Sequence, residues 1–136
     1  MSSASVMSAV AARLAANWTH TPVIGPNIGG TVPADGSAFL ALTFPVSNEA
    51  MISTGSPGSN VYREDGAFRL VLSVPVGLGL DPYLAWIDEL RTLFRTATFD
   101  GVLTWEAPPA AIDDEADAGG YLRLSVAIPY QFDIFA

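Results

Sequence analysis

The segment GGYLRLSVAIPYQFDIFA, Gly119 to Ala136, alternates apolar and other residues along nearly its whole length. Leu122, Leu124, Val126, Ile128, Tyr130, Phe132 and Ile134 share one side if the chain is extended, because successive side chains of a strand point to opposite faces. A strand this long presents two rows of backbone hydrogen-bonding groups, and unpaired rows invite another strand. The pattern therefore predicts a strand that is central in a sheet, or one that pairs with the edge of a neighbouring subunit.

The rest of the chain supplies its company. VYREDGAFRLVLSVPVG, from Val61, reads as a long strand or as a hairpin broken at Asp65-Gly66, with Phe68, Leu70, Leu72, Val74 and Val76 on one face. AFLALTFPV, Ala38 to Val46, places Leu40, Leu42, Phe44 and Val46 on one side and Phe39, Ala41 and Thr43 on the other. VLTWEA is a further strand. SNEAMISTGSPGSN, Ser47 to Asn60, reads as a flexible loop with a short strand near Ala50 to Ser53, and PPAAIDDEADAGG reads as a loop.

Two helices are predicted. The first spans Ser3 to Asn17, with Ser3 or Ser5 as cap and Val6 or Met7, Val10, Leu14 and Trp18 on one face. Its lack of an early basic region, and Arg13 within the apolar stretch, argue against a signal peptide. The second follows LDP. Asp81 is its expected N-cap and Pro82 its first residue, and Tyr83, Trp86, Ile87, Leu90, Leu93 and Phe94 form its apolar face. Arg91 and Arg95 suit the negative end of the helix dipole. THTPVIGPNIGGTVPADGS between them is an extended, irregular connection. The order of elements predicts a single α+β domain over residues 1–136. Its two layers are a mostly antiparallel or mixed sheet and two helices on one face.

Composition narrows the function. The 136 residues carry a net charge of -8, with six arginines and no lysine, while half the residues are hydrophobic. Arg13, Arg63, Arg69, Arg91, Arg95 and Arg123 are scattered singly, so no basic patch exists to neutralise nucleic-acid phosphates. No run of about 20 apolar residues suggests a membrane span. Cysteine is absent, which removes disulfides and thiolate metal sites. A chain that is both acidic and apolar points to surface that is covered by other subunits.

No motif points to catalysis. VPVGLGLDP puts Pro82 where the third glycine of a dinucleotide-binding turn belongs, and GSPGSN lacks the lysine of a phosphate loop. His20, the sole histidine, has no nucleophile elbow to serve and is expected exposed or partly packed. Asp113, Asp114, Glu115 and Asp117 read as a solvated acidic loop, without the spacing of a calcium-binding loop. The expectation is no enzyme, no cofactor and no metal.

Three segments resemble the tail-terminator-like proteins of long-tailed phages, prophages and gene-transfer particles. They are ARLAANW with the proline-rich TPVIGPNIGGTVPADGSAFLALTF, YREDGAFRLVLSVPVGLG with LAWIDELRTLF, and the closing YLRLSVAIPYQFD. The resemblance implies a sheet with two helices, built into a hexameric ring that caps the finished tail tube and docks the head side. It implies as partners the chain itself, the tail tube protein and a head-completion or connector protein. It places the protein in the virion neck after assembly in the host cytoplasm. DNA would pass through the ring without specific binding, since acidic walls repel phosphate. Met51, Ile52, Tyr62, Tyr130, Phe132 and Ile134 are then expected at subunit or partner interfaces, with the Ser47 to Asn60 loop ordering on contact. Glu64, Asp65, Asp113 and Asp114 are expected to face the lumen. Two alternatives stand beside this reading: another neck or tail protein (head-closure, adaptor or tube), and a small-molecule-binding α+β domain.

Overall fold

The computed structural model describes residues 2–25, 37–75, 77, 79–113 and 121–136. Helix α1 is Ala4–Asn17 and helix α2 is Tyr83–Phe94. The strands in chain order are β1 (Val23–Ile24), β2 (Phe39–Met51), β3 (Val61–Pro75), β4 (Thr98–Phe99), β5 (Val102–Thr104), β6 (Ala111–Asp113) and β7 (Tyr121–Phe135). They form one sheet in the order β1-β2-β3-β7-β5-β4, with β6 also paired to β7. The sheet is mixed, because β1 runs parallel to β2 while the other pairs are antiparallel. The fold is the expected α+β.

The closing strand is central. β7 lies against β3 along its full length, from Tyr121 opposite Pro75 to Phe135 opposite Val61, and its other edge takes β5 and β6. One side of this sheet carries Leu40 and Leu42 of β2, Phe68, Leu70 and Leu72 of β3, and Leu124, Val126 and Ile128 of β7, all buried. Val6, Val10 and Leu14 of α1 and Ile87, Leu90 and Phe94 of α2 close over them in one apolar cluster. Both helices thus sit on the same face, as binary patterning requires of helices with one apolar stripe each.

Several boundaries differ from the sequence reading. Residues 61–75 form a single strand with no break at Asp65-Gly66, and the strand expected near Ala50 is the continuation of β2. Ala111–Asp113, expected in a loop, adds β6 to β7. α2 begins after Pro82, whose carbonyl accepts from Ala85 (3.0 Å) and Trp86 (3.3 Å), so Pro82 and not Asp81 holds the N-cap position. The far end of α2 is held by α1. Arg13 Nε and Nη2 both donate to the Leu93 carbonyl (3.0 and 2.9 Å), and its guanidinium lies 5.0 Å from the centre of the Phe99 ring. A cation at a helix C-terminus meets the negative pole of the dipole. Val76 and the acidic positions 114–117 lie outside the described residues.

The largest departure is at Pro45. The pairing of β2 with β3 slips between Thr43 and Val46, so that three steps of β2 match two of β3, from Arg69 to Ala67. Such a bulge reverses the side-chain alternation beyond it. Val46 therefore leaves the face of Leu40, Leu42 and Phe44 and stands 59% exposed.

Candidate functional site

Past the reach of the helices, β2, β3 and β7 continue in register as a three-stranded blade. Met51, Tyr62 and Ile134 are direct cross-strand partners, and Val61 faces Phe135. The blade ends in a tied loop: Ile52 N–H donates to Val61 O (2.8 Å), Val61 N–H to Ser53 Oγ (2.7 Å), and Ser56 N–H to Asn60 Oδ1 (3.0 Å). Asn60 and Ala136 exchange two backbone bonds of 3.0 and 2.9 Å. Gly55 and Gly58 turn the loop at φ of 85° and 84°, a region that L side chains rarely adopt. The sequence reading has this loop flexible until contact orders it; Ser53 and Asn60 tie it within the chain.

Four of the six residues expected at interfaces gather on this blade. Met51 and Ile52 are exposed, and Tyr62 and Ile134 are half-buried. Phe135, 70% exposed, belongs with them and was missed, because it falls on the opposite side of the alternation. Phe132 packs partly against the core beside Gly101. Tyr130 is no surface residue. It is fully buried, since α1 still covers the sheet at that level.

Glu64 also requires correction. It is 6% exposed and faces inward, so it presents no charge to a lumen. Tyr130 donates its phenol proton to Glu64 Oε2 (2.6 Å), and the Ser3 N–H at the start of α1 points at the same oxygen (3.3 Å). Ser2 Oγ completes the group, 2.6 Å from the Tyr130 oxygen. A carboxylate at a helix N-terminus meets the positive pole of the dipole. Burial, reinforced by the adjacent carboxylate, pushes the Tyr130 phenol well above its ordinary range. The group pins the N-terminus of α1 to the base of the blade. Asp65 is exposed on the other side of β3. Asp113 pairs in β6 opposite Arg123, and Asp114 lies outside the described residues.

On the blade's second face Arg63 grips Asp133, directly opposite it, through Nε–Oδ1 (2.8 Å) and Nη2–Oδ2 (3.1 Å) bonds. This hydrogen bonding and the cationic charge hold the Asp133 carboxyl below the usual range. Further along the same helix-free face runs an apolar row: Val46, Ala67 and Pro129 in register, then Trp105, whose N–H reaches the Pro129 carbonyl (3.3 Å). Trp105 is 42% exposed. The next row holds Thr43, Arg69 and Ala127, all exposed. Trp and Arg are the residue types that dominate binding energy at interfaces. The sequence reading put Val46 on the other face, because the bulge at Pro45 is what brings it into this row.

His20 stacks on Trp86 (ring centres 4.8 Å apart), meets Trp18 edge-on and pairs with Glu89 (2.7 Å). The groove beside them, about 620 Å³, lies between the end of α1 and α2. Trp18, Trp86, Asp88 and Glu89 line it with the histidine, beside Leu90, Thr92 and Leu93. Among the described residues there is no group of histidine and acidic side chains able to hold a metal ion, and no helix is long and apolar enough to cross a membrane.

A sheet covered by helices on one face only, with apolar side chains gathered on a projecting blade, is the build of a structural protein that works through contact with other chains. The chain belongs to the family described as phage tail terminator protein, whose family model matches residues 5–130. It is a structural protein of the phage tail, and hence of the virion. The fold is similar to that of a solved structure with 22% sequence identity and a TM-score of 0.61, covering 100% of this chain and 96% of the other. The curated proteins contain no match to the chain.

Proposed function

We propose that the protein is a ring-forming tail terminator, a homohexamer that caps the completed tail tube and joins it to the head-neck complex. The observation that carries this reading is the blade, whose apolar tip (Met51, Ile52, Phe135) stands in solvent although the chain binds it firmly. A contiguous exposed apolar patch on an ordered projection marks a surface that another molecule covers in the working state. The tail tube protein on one side and a head-completion or connector protein on the other are the partners. A net charge of -8 without lysine suits a ring through which DNA slides without adhering. Asp65 is the described acid best placed to contribute, being exposed. The role is structural, with no chemical step.

The test is a tube-growth assay together with native mass spectrometry. Added to polymerising tube protein, the chain is expected to stop elongation, and alone it is expected to form a six-membered ring. A chain that polymerises alone into long tubes is instead the tube protein. A stable monomer that leaves tube length unchanged removes the capping role.

A further inference from the structure

The helix-free side of the sheet carries exposed rows that no described element covers. A sheet is stable when both faces are covered or when the outer one is polar. Here the outer face bears the row Val46, Ala67, Pro129 and Trp105, with the cation Arg69 in the next row. Arg13, Arg63 and Arg91 are engaged within the chain, each by at least one bond, whereas Arg69, like Arg95 just past α2, is exposed on a chain of strongly negative charge. The same chain carries the complementary surface. The outer side of α2 presents Leu84, 44% exposed, one turn from Asp88 and flanked by Asp81. Arg91 binds only Oδ1 of Asp88, whose side chain is 71% exposed.

We propose that in the ring the helix-free sheet face of each copy is covered by α2 of the next copy, with Leu84 seated between Val46 and Trp105 and Asp88 meeting Arg69. This rests on the ring reading above. The two surfaces are different and lie on opposite layers of the subunit, so the contact is head-to-tail, the kind that closes into a ring. It supplies a third layer over rows that the described residues leave exposed. It also leaves the blade tip free for a different partner.

The absence of native cysteine makes the contact directly testable. Val46→Cys and Leu84→Cys are placed in one chain, at exposed sites where the fold tolerates change. Within one subunit the sheet and the helix layer stand between these positions, so an internal disulfide is excluded by the reach of about 7 Å between Cα atoms. On mild oxidation the double variant is expected to give a ladder of linked chains up to the full ring, and each single variant none. Arg69→Glu is expected to lose the ring, and Arg69→Glu with Asp88→Arg to regain it. Rings that form without cross-links, and that survive Arg69→Glu, overturn this contact while leaving the ring reading intact. A ladder that stops at two chains marks a two-fold contact and overturns it as well. A wild-type chain that remains monomeric at every concentration and fails to cap tubes removes both.

Discussion

Gly66 shows how much one residue decides. It stands opposite Ser47 on one side and Tyr130 on the other, where β3 enters the blade. A Cβ there would run into the Val46 carbonyl oxygen and come within 2.8 Å of the Tyr130 hydroxyl. Neither can retreat, since the one is backbone and the other is tied to Ser2 and Glu64. Gly66→Ala is therefore expected to destabilise by about 1–3 kcal/mol, the usual cost of overpacking. Urea unfolding checks this, and an unchanged midpoint would mean the ring of Tyr130 moves freely. The alternation in the sequence puts Tyr130 on one face with Phe132 and Ile134, and says nothing of Glu64 as their neighbour. It could not say where along that face the helical cover ends. The full burial of Tyr130 and the half-burial of Ile134 two strand repeats later depend on where the start of α1 lies, a tertiary fact.

At the scale of elements, strand ends and helix ends are set by contacts from afar. Thr104 of β5 is buried and bonds at both sides of the α2 terminus: its Oγ1 donates to Phe94 O (2.6 Å) and accepts from Ala97 N–H (2.9 Å). Thr104→Val keeps the shape but leaves a buried donor and acceptor unpaired, which is expected to cost about 1–3 kcal/mol. Thermal unfolding of the variant should show it, and a Tm equal to wild type would contradict the assignment. On the blade, the Arg63–Asp133 bridge gives a pH signature. Asp133 is held below its ordinary range, so its contribution is complete above the unfolded carboxylate value of about 3.9 and fades as pH falls through the lower folded value. The stability gap between wild type and Asp133→Asn is thus expected to be level near neutrality and to close in acid. Because the pair is about a third exposed, the gap is small. Urea midpoints across a pH series measure it, and a gap that widens in acid is the contrary result. The elements themselves were largely legible, since the period-two runs and the helical stripe dictate their own geometry. The bulge at Pro45 was not, because proline within a strand marks an irregularity without giving the register that follows it.

For the whole molecule, the proposed reading asks one small chain to serve as both ring member and cap. The two exposed surfaces that reading uses lie apart in the fold. The helix-free face with Val46, Trp105 and Arg69 lies beside the body, whereas Met51, Ile52 and Phe135 lie at the end of the blade. If the body contact builds the ring and the blade meets the tube or the head side, the two functions separate by mutation. Met51→Asp with Ile52→Asp adds charge at two exposed positions, where substitutions usually move stability by no more than about 0.5 kcal/mol. Such a variant is expected to unfold at the wild-type midpoint and to form rings, yet to fail to arrest tube growth, because a charged tip cannot be desolvated against an apolar partner surface. Arg69→Glu is expected to show the converse order, losing the ring first and capping only as a consequence. Native mass spectrometry and tube lengths measured on the same preparations distinguish the two. Loss of rings in the blade variant would assign the tip to the contact between copies and leave the outer sheet face without a role.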